Sequence, residues 1–286
     1  MPLPPLFVHP ERQILKLTGN DRHAFLQGLI TNDIRKLTPS SPLYTAILTP
    51  NGRFEGDLFL FEKEEETYLA PQSTYCPHLA KKLSLLKLRA DVKINEGPDL
   101  ALYHLLPQGH PTQFPTLPLW PDPRIADLGH IGLLPATIFP PLQTADDERL
   151  RHAYRTLRYT LGIAEGQEEI TPQRAIILEY GFDAMKAIAW DKGCYLGQEL
   201  MARTKHGGII RKHIFPCESH DGPLNPDTSL FLGEQKVGTV KVAQDRKGLA
   251  MIRTQYIPLD ALPLDLKSEN GDLIKIDHPA WTPLSQ

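Results

Sequence analysis

This sequence of 286 residues has only 3 cysteines, a formal net charge of only −3 and no long apolar run. No apolar run approaches the roughly 20 residues that a membrane-spanning helix needs. The first residues, MPLPPLFVHPER, lack the basic start and apolar core of a signal peptide. The small net charge gives no general attraction to nucleic acid or to anionic membranes. We therefore expect neither membrane insertion nor direct binding of nucleic acid.

The cysteines, Cys76, Cys194 and Cys217, are odd in number and widely spaced. This pattern predicts a reducing compartment and argues against a disulfide framework. Hydrophobic residues make up 41% of the chain and charged residues 23%, as in an ordinary globular protein. The length is sufficient for two domains or for one elaborate domain.

Proline is abundant, with 27 residues, and its distribution helps to divide the chain. One concentration covers residues 107–123, PQGHPTQFPTLPLWPDP. Because proline fixes φ and cannot donate a backbone hydrogen bond, we predict an extended linker or surface loop there, at a junction between two subdomains. From about residue 209 the sequence changes to short apolar pieces. This change predicts a domain boundary, with one region at 1–208 and a second at 209–286.

The apolar periodicity predicts an α+β fold, with helices packed on sheets. The strongest local signal is Asn51-Gly52 between two apolar runs, which predicts a hairpin. Predicted strands are 13–17, 44–49, 54–61, 67–69, 92–94 and 100–106, and predicted helices are 22–29, 78–88 and 146–161. After residue 209, short apolar pieces at 237–240, 249–252 and 273–276 predict a compact β-barrel.

The segment 190–208, WDKGCYLGQELMARTKHGG, carries the most reactive side chains in the sequence. Gly193 and Gly197 predict a tight turn around Cys194, and the residues from Gln198 onward predict a helix. Cys194 would then lie just before or at a helix N-terminus, close to Lys192. Unpaired backbone N–H groups and a nearby cation both favour the thiolate over the thiol.

An inert interpretation of the same segment stays open. A free cysteine is usually a small buried apolar residue. Glu199 and Arg203 stand four positions apart, so they are expected either to form an ordinary surface ion pair or to position the motif helix.

The octapeptide KGCYLGQE at 192–199 resembles the K-G-C-Y-x-G-Q-E signature of the YgfZ family of folate-binding proteins. That family is related to the aminomethyltransferase (T protein) of the glycine cleavage system. The continuation LMART and the later IRK are most similar to the branch that includes the mitochondrial iron–sulfur assembly factor. Segments 19–33 and 122–129 are similar to two further family patterns. The residues that would support the motif thiol are Gly193, Tyr195, Gly197, Gln198, Glu199 and Arg203.

The resemblance implies an aminomethyltransferase-like folate-binding region of mixed sheets and helices, followed by a small C-terminal β-barrel. Tetrahydrofolate, or a one-carbon derivative of it, is the implied cofactor. Its pocket needs polar groups for the pterin edge, an aromatic face and a cation for the glutamate tail. The candidate folate-binding residues are Tyr154, as the stacking face, Arg158, Gln27, Asn32 and Arg124.

Two positions depart from the transferase. Its pterin-clamping glutamate is replaced here by Thr160, and its paired acidic residues are replaced by Gly56-Asp57. Asp57 remains a candidate proton acceptor or polariser for a folate nitrogen. These departures argue against aminomethyl transfer, and whether the chain catalyses any reaction stays open.

The transferase lacks the cysteine that stands here at Cys194. Three roles suit an exposed, ionised thiol: transient ligand for iron or a cluster, redox partner, or covalent acceptor. We expect Cys194, Lys192 and Asp57 to be the reactive residues, with Lys192 keeping the thiol ionised. Because the chain has no C-x-x-C, a cluster would need further ligands from a partner, glutathione or a second copy.

The resemblance therefore implies a folate-binding accessory protein for the assembly or repair of [4Fe–4S] clusters, including those of radical-S-adenosylmethionine tRNA-modifying enzymes. Its implied partners are folate, iron–sulfur assembly proteins and client [4Fe–4S] enzymes. Its implied location is the cytoplasm in a bacterium or the mitochondrial matrix in a eukaryote. One alternative is a tetrahydrofolate-dependent aminomethyl or one-carbon transferase. Another is a non-catalytic scaffold whose motif binds other proteins.

Overall fold

The computed structural model describes residues 5–9, 11–97, 99–138, 145–207 and 210–282. In chain order its strands are β1 (Leu6–Val8), β2 (Leu15–Thr18), β3 (Leu43–Leu48), β4 (Phe54–Lys63), β5 (Glu66–Pro71), β6 (Lys93–Glu96), β7 (Leu100–Leu105), β8 (Trp120–Pro121), β9 (His130–Pro135), β10 (Lys212–Ser219), β11 (Ser229–Leu232), β12 (Gln235–Gln244), β13 (Lys247–Arg253), β14 (Leu264–Ser268) and β15 (Leu273–Ile276). Its α-helices are α1 (Arg22–Gln27), α2 (Cys76–Leu86), α3 (Ala145–Thr160), α4 (Gly166–Glu169) and α5 (Gln198–Gly207).

The first sheet has five strands in the order β3-β4-β5-β2-β6 and is covered on both faces. Successive side chains of a strand point to opposite faces, so β4 contributes to two cores. Leu58 and Leu60 join the core that contains Leu26 of α1 and Leu79 of α2, whereas Phe59 joins the core on the other face. The predicted β3–β4 hairpin is confirmed.

Helix α2 begins and ends within two residues of its predicted bounds. Leu79 and Leu83 are buried, as the amphipathic pattern predicts. Leu86 was expected on the same packed face, and that expectation is wrong, because its side chain is 41% exposed. Leu86 is the last residue of the helix, beyond the last turn that packs on the sheet.

The second sheet has four antiparallel strands in the order β1-β7-β9-β8. Its edge strand β8 interrupts the proline-rich segment 107–123, which otherwise forms a short 3-10 helix at Pro111–Gln113, turns and irregular loop. Proline is tolerated at a sheet edge because no ladder hydrogen bond is lost there. Helix α3 ends at Thr160, and Gly162, two residues later, adopts φ +75° as expected of a C′ residue.

The C-terminal strands close into a barrel in the order β10-β13-β12-β11-β14-β15. The strand predictions at 237–240, 249–252 and 273–276 fall in β12, β13 and β15 and are confirmed. Strands β10, β11 and β14 were not predicted. The predicted division between residues 208 and 209, and Gly208 of the motif segment, lie outside the described residues.

The C-terminal segment returns to the end of α3. Trp281 donates a hydrogen bond of 2.9 Å from Nε1 to the carbonyl oxygen of Gly162. Gly181 lies beneath the same indole, where an added Cβ would come within 2.4 Å of the ring. This contact connects the segment after the barrel with the region that leads into the motif. Within the described residues, no helix is both long enough and apolar enough to span a membrane.

Candidate functional site

Cys194 lies on an exposed loop, whereas the other two thiols are buried. Burial raises the pKa of Cys76 to about 11 and also raises the pKa of Cys217. Those two side chains therefore remain thiols at neutral pH. The inert interpretation of Cys194 as a buried apolar residue is wrong, because of the three cysteines only this one is open to solvent.

The predicted helix of the motif is confirmed as α5, but Cys194 precedes its first residue, Gln198, by four positions. The thiol is thus in the loop before the helix rather than at its N-terminus. Among the described residues, we find no hydrogen bond or ion pair to the Cys194 thiol.

Lys192 is buried beneath this loop and is directed into the protein. Its ammonium donates hydrogen bonds of 2.8 Å to the carbonyl of Ile30 and 2.7 Å to the carbonyl of Asn32. It also lies 5.0 Å from the centre of the Tyr195 ring. Burial lowers the pKa of Lys192 to about 8, although Asp33 opposes that shift. The ammonium therefore joins two chain segments; a role in ionising Cys194 stays a prediction.

The Thr31-Asn32-Asp33 pattern forms the other half of this junction. The Asn32 side chain donates to the carbonyls of Tyr44 and Lys186, both at 2.9 Å. The Thr31 hydroxyl donates to the carbonyl of Ala187 at 2.8 Å. The segment that follows α1 is thereby attached to the segment that leads into the motif.

The side chains of Gln27 and Gln198 form hydrogen bonds with residues nearby in sequence. Gln27 donates to Asp33 at 2.9 Å and accepts from the Ile34 N–H at 2.9 Å. Gln198 accepts from the Tyr195 N–H at 3.2 Å, which closes the turn before α5. A folate-binding role for Gln27 stays a prediction.

Gly197 is the motif glycine on which the local structure depends. It has φ +84°, and an added Cβ would lie 2.6 Å from the carbonyl oxygen of Thr49. Gly52 of the β3–β4 turn faces it, where an added Cβ would lie 2.5 Å from Cβ of Leu200. The hairpin and the start of α5 can approach this closely only because both positions lack a side chain. Gly193, by contrast, has open space around it and no positive φ.

We expect Gly197→Ala to lower the free energy of unfolding by about 2 kcal/mol or more, because left-handed backbone costs a non-glycine residue roughly 1–2 kcal/mol and the new methyl group also meets the Thr49 carbonyl. Gly193→Ala is the matched control and should change stability by no more than about 0.5 kcal/mol. Urea denaturation of the two variants measures this. Equal stabilities would show that the hairpin contact does not constrain the motif.

Glu199 and Arg203 are both exposed on α5, and no ion pair joins them. The expected surface ion pair is therefore not formed. The helix is positioned instead by apolar contacts, since Met201 is fully buried and Leu200 packs against Gly52. A role for Glu199 and Arg203 in supporting the motif stays a prediction.

A buried network of charges lies between the two sheets and is centred on Glu165. The carboxylate forms an ion pair with Arg124, lies 3.1 Å from Nη2 of Arg12, and lies 3.0 Å from Nε2 of His9. Burial opposes ionisation of Glu165, but the surrounding positive charges outweigh it and hold its pKa well below the usual range. One carboxylate thus compensates several buried cations.

Arg158 and Tyr154 belong to this network. Arg158 donates to both oxygens of Glu169, at 2.7 and 2.8 Å, and its guanidinium lies 5.3 Å from the centre of the Tyr154 ring. The Tyr154 hydroxyl donates to Glu165 at 2.8 Å. Burial raises the pKa of Tyr154, so it remains a phenol and a donor. His104 packs 4.5 Å from the tyrosine ring centre.

Asp57 completes the network on the first sheet. Its Oδ2 accepts from Arg12 at 2.6 Å and from the Tyr44 hydroxyl at 2.7 Å. Its Oδ1 is buried without a hydrogen-bond partner among the described residues. Gly56 lies against Tyr75, where an added Cβ would come within 2.4 Å of the ring. A larger residue at position 56 would therefore require Tyr75 to move.

The structure thus separates the predicted site residues into two groups. Asp57, Arg124, Tyr154 and Arg158 lie in the buried network, whereas Asn32 lies at the motif junction. Arg124 is engaged by Asp122 at 2.7 Å and by Tyr154 at 2.8 Å. The proposed stacking ring of Tyr154 is covered by its neighbours. Sequence analysis did not identify His9, Arg12, Glu165 and Glu169 as site residues. The only local indication was that charged residues stand among apolar ones.

An open cleft of about 540 Å³ adjoins both groups and was not predicted. Asn32 lines it from the motif junction, and Tyr44 and Asp122 line it from the network. Trp120 supplies an aromatic side chain, and the lining also includes Ser40, Ser41, Leu43, Asp183, Lys36, Lys186 and Ile188. The volume is in the range of small-molecule sites.

The cleft lining combines an aromatic ring, exposed cations and buried polar groups. Trp120 offers an aromatic surface and the exposed Lys36 and Lys186 offer cations, whereas the side chains of Asn32 and Asp122 are already hydrogen-bonded within the protein. The unpartnered Oδ1 of Asp57 lies behind Tyr44, one hydrogen bond from the cleft lining. We find no cluster of three or more metal-ligating side chains within the described parts of the chain.

Comparisons with known proteins agree with this architecture. The family model of the CAF17 C-terminal β-barrel domain matches residues 211–284. A crystal structure of the glycine cleavage system aminomethyltransferase T from Bartonella henselae matches 98% of this chain and 86% of its own, with a TM-score of 0.69 and 14% sequence identity. The chain is 31% identical to the mitochondrial iron–sulfur cluster assembly factor IBA57 of Mus musculus, over 95% of this chain and 84% of that protein. It is 29% identical to the Homo sapiens protein of the same name, over 95% of this chain and 83% of that protein.

The mixed sheets and closed C-terminal barrel define a protein of the aminomethyltransferase-like fold. With an intact KGCYLGQE motif and these relatives, the chain belongs to the YgfZ/IBA57 family.

Proposed function

We propose that this protein is an accessory factor in iron–sulfur cluster assembly, which binds tetrahydrofolate in the cleft beside the motif and uses the Cys194 thiol. The observation that carries the proposal is the exposure of Cys194 on a loop held from below by Lys192 and Gly197, in a chain whose relatives are named iron–sulfur cluster assembly factors. An open thiol on a firmly held loop can meet a partner protein without a conformational change.

The proposed clients are [4Fe–4S] enzymes, including radical-S-adenosylmethionine tRNA-modifying enzymes, and the proposed partners are iron–sulfur assembly proteins. In a eukaryote the mitochondrial matrix would be the site of action, and in a bacterium the cytoplasm. Cys194 would supply one ligand to a cluster in transit, and the partner would supply the others. Tetrahydrofolate would supply a nitrogen that can carry a one-carbon unit.

Two features weigh against the alternative of aminomethyl transfer. Thr160 is exposed and accepts a hydrogen bond of 3.0 Å from Lys247 of the barrel, so it does not replace a pterin-binding carboxylate. Gly56 leaves no room for a second carboxylate beside Asp57 because Tyr75 fills that space. Asp57 would then serve to hold Arg12 and Tyr44, and its free Oδ1 would be the group that remains for a ligand.

The proposal is tested by measuring tetrahydrofolate affinity and client-enzyme cluster content for the same variants. We expect Cys194→Ser to bind tetrahydrofolate like the wild type but to fail to restore cluster content in a deletion strain. We expect the double variant Lys36→Ser/Lys186→Asn to lose about tenfold or more in folate affinity, because it removes both cations of the cleft. Asparagine is chosen because Lys186 has φ +57°.

Lys81→Ser/Arg89→Ser, which removes two exposed cations elsewhere on the surface, is the control for the charge change. Restoration of cluster content by Cys194→Ser would overturn the thiol role. If changes at Arg203 or Lys205 alone abolished function, the scaffold alternative would be correct. Unchanged folate affinity in the double lysine variant would remove the cleft from the proposal.

A further inference from the structure

We propose that a second cleft, between the barrel and the motif helix, binds a small organic dianion, either a dicarboxylate or a phosphate ester. Its volume is about 540 Å³, and its lining consists of Ile176, Glu179, Thr204, Ile210, Arg211, Lys212, Arg253, Gln255 and Tyr256. It shares no lining residue with the cleft proposed for folate. The inference does not depend on the proposed function.

Cations dominate this cleft. Arg211, Lys212 and Arg253 are opposed by Glu179 as the single acidic residue of the lining, so the formal excess is two positive charges, three minus one. Lys212 is paired with Glu179 at 3.4 Å. The guanidiniums of Arg211 and Arg253 are exposed, and neither has an ion-pair or hydrogen-bond partner among the described side chains.

The strand register forces two of these cations together. Lys212 and Arg253 are directly opposite each other at the first pair of the β10–β13 ladder. Like charges at such a cross-strand pair are unfavourable, because their side chains lie on the same face about 5 Å apart. Glu179 pairs with Lys212, so this single carboxylate leaves the charges of Arg211 and Arg253 uncompensated. A bound anion would relieve the repulsion.

The remaining lining suits the organic part of a ligand. Ile176 and Ile210 form an apolar floor, and Ile210 is 6% exposed. Tyr256 offers a half-open aromatic ring, and the Gln255 amide offers both a donor and an acceptor. Two guanidiniums, each with a forked set of donors, match carboxylate and phosphate oxygens. Chloride would neutralise positive charge in the cleft but would make no contact suited to the apolar floor.

Calorimetric titration of the full-length protein at constant ionic strength tests the proposal, with glutarate and phenyl phosphate as probes. We expect saturable binding of one or both probes, which distinguishes a carboxylate site from a phosphate site. Arg211→Ser/Arg253→Ser should weaken binding about tenfold or more. Glu179→Gln should strengthen it, because one opposing negative charge is removed.

Arg89→Ser/Lys81→Ser removes two exposed cations remote from the cleft and should leave the affinity unchanged. The proposal is overturned if neither probe shows saturable binding to the wild type, or if both double variants lose affinity equally. It is also overturned if a short polyglutamate peptide binds and the two small anions do not, since the cleft would then be a protein-binding surface. The arginine variant should weaken binding and the Glu179 variant should strengthen it. Opposite effects distinguish a specific binding site from a general electrostatic effect of the protein's charge.

Discussion

Replacing Glu165 by glutamine should lower the free energy of unfolding by about 3 kcal/mol or more, because Arg12 and Arg124 lose the carboxylate that they share and keep only Asp57 and Asp122 as partners. The side chains of Glu165, Arg12 and Arg124 are each no more than 1% exposed, and that of Arg158 is 2% exposed. Water cannot replace the lost charge at such depth. The melting temperature should fall by roughly 10 °C or more.

Glu168→Gln is the matched control, since Glu168 is exposed on the short helix α4, which begins directly after Glu165. It should change stability by no more than about 0.5 kcal/mol. Urea denaturation of both variants, monitored by circular dichroism, compares them directly. If Glu165→Gln were as stable as Glu168→Gln, the network would not hold the two sheets together.

The same carboxylate predicts a pH dependence. Because the folded pKa of Glu165 is held well below the unfolded value near 4.5, the unfolded state binds more protons between those two values. The stabilisation is therefore present above the unfolded pKa and is lost as the pH falls toward the folded pKa. The wild type should lose stability on acidification more steeply than Glu165→Gln below about pH 5.

Local patterns in the sequence predicted much of the fold. Asn51-Gly52 specified the hairpin because a two-residue turn has strict backbone requirements. Tyr154 and Arg158 stand four positions apart in α3, which predicts that they share one face of the helix, and the structure buries both. Strand β15 was predicted with its observed bounds, 273–276, because LIKI is a short apolar piece between Gly271-Asp272 and Asp277. In β10 the sequence KHIFPCES interrupts the alternation with proline, and that strand was missed.

The charge network could not be predicted, because its members are remote in sequence. Arg12, Arg124 and Glu165 meet only when both sheets are assembled, and no spacing rule connects them. The one local signal is that Glu165 stands in the apolar run GIAEG, where a charge needs a partner. Similarly, the proximity of Lys192 to Cys194 in sequence suggested a contact, but the lysine side chain is directed away from the loop surface.

Lys192→Met should lower the free energy of unfolding by about 2–3 kcal/mol, because methionine has a similar length but no donor. The carbonyls of Ile30 and Asn32 would each lose a charged hydrogen bond, and a buried acceptor without a partner costs about 1–3 kcal/mol. Lys81→Met, an exposed lysine on α2, is the control and should be neutral within about 0.5 kcal/mol. Thermal and urea denaturation measure the difference.

The pH dependence of the stability difference shows whether the Lys192 ammonium is responsible for it. Burial lowers the folded pKa of Lys192 to about 8, whereas an unfolded lysine titrates near 10.4. Between those values the unfolded state binds more protons, so this residue makes the wild type more stable as the pH rises from about 8 to 10. The stability gap between wild type and Lys192→Met should widen over that range.

The same variant decides between the two roles considered for Lys192. If the ammonium serves to join Ile30 and Asn32 to the motif, Lys192→Met loses stability, and the alkylation rate of Cys194 at pH 7 changes little while the variant is folded. If the ammonium serves the thiol, alkylation slows and stability is retained. The hydrogen bonds of 2.8 and 2.7 Å to the two carbonyls favour the first result. Lys192 would then serve to hold the loop that carries Cys194 against the segment 30–32.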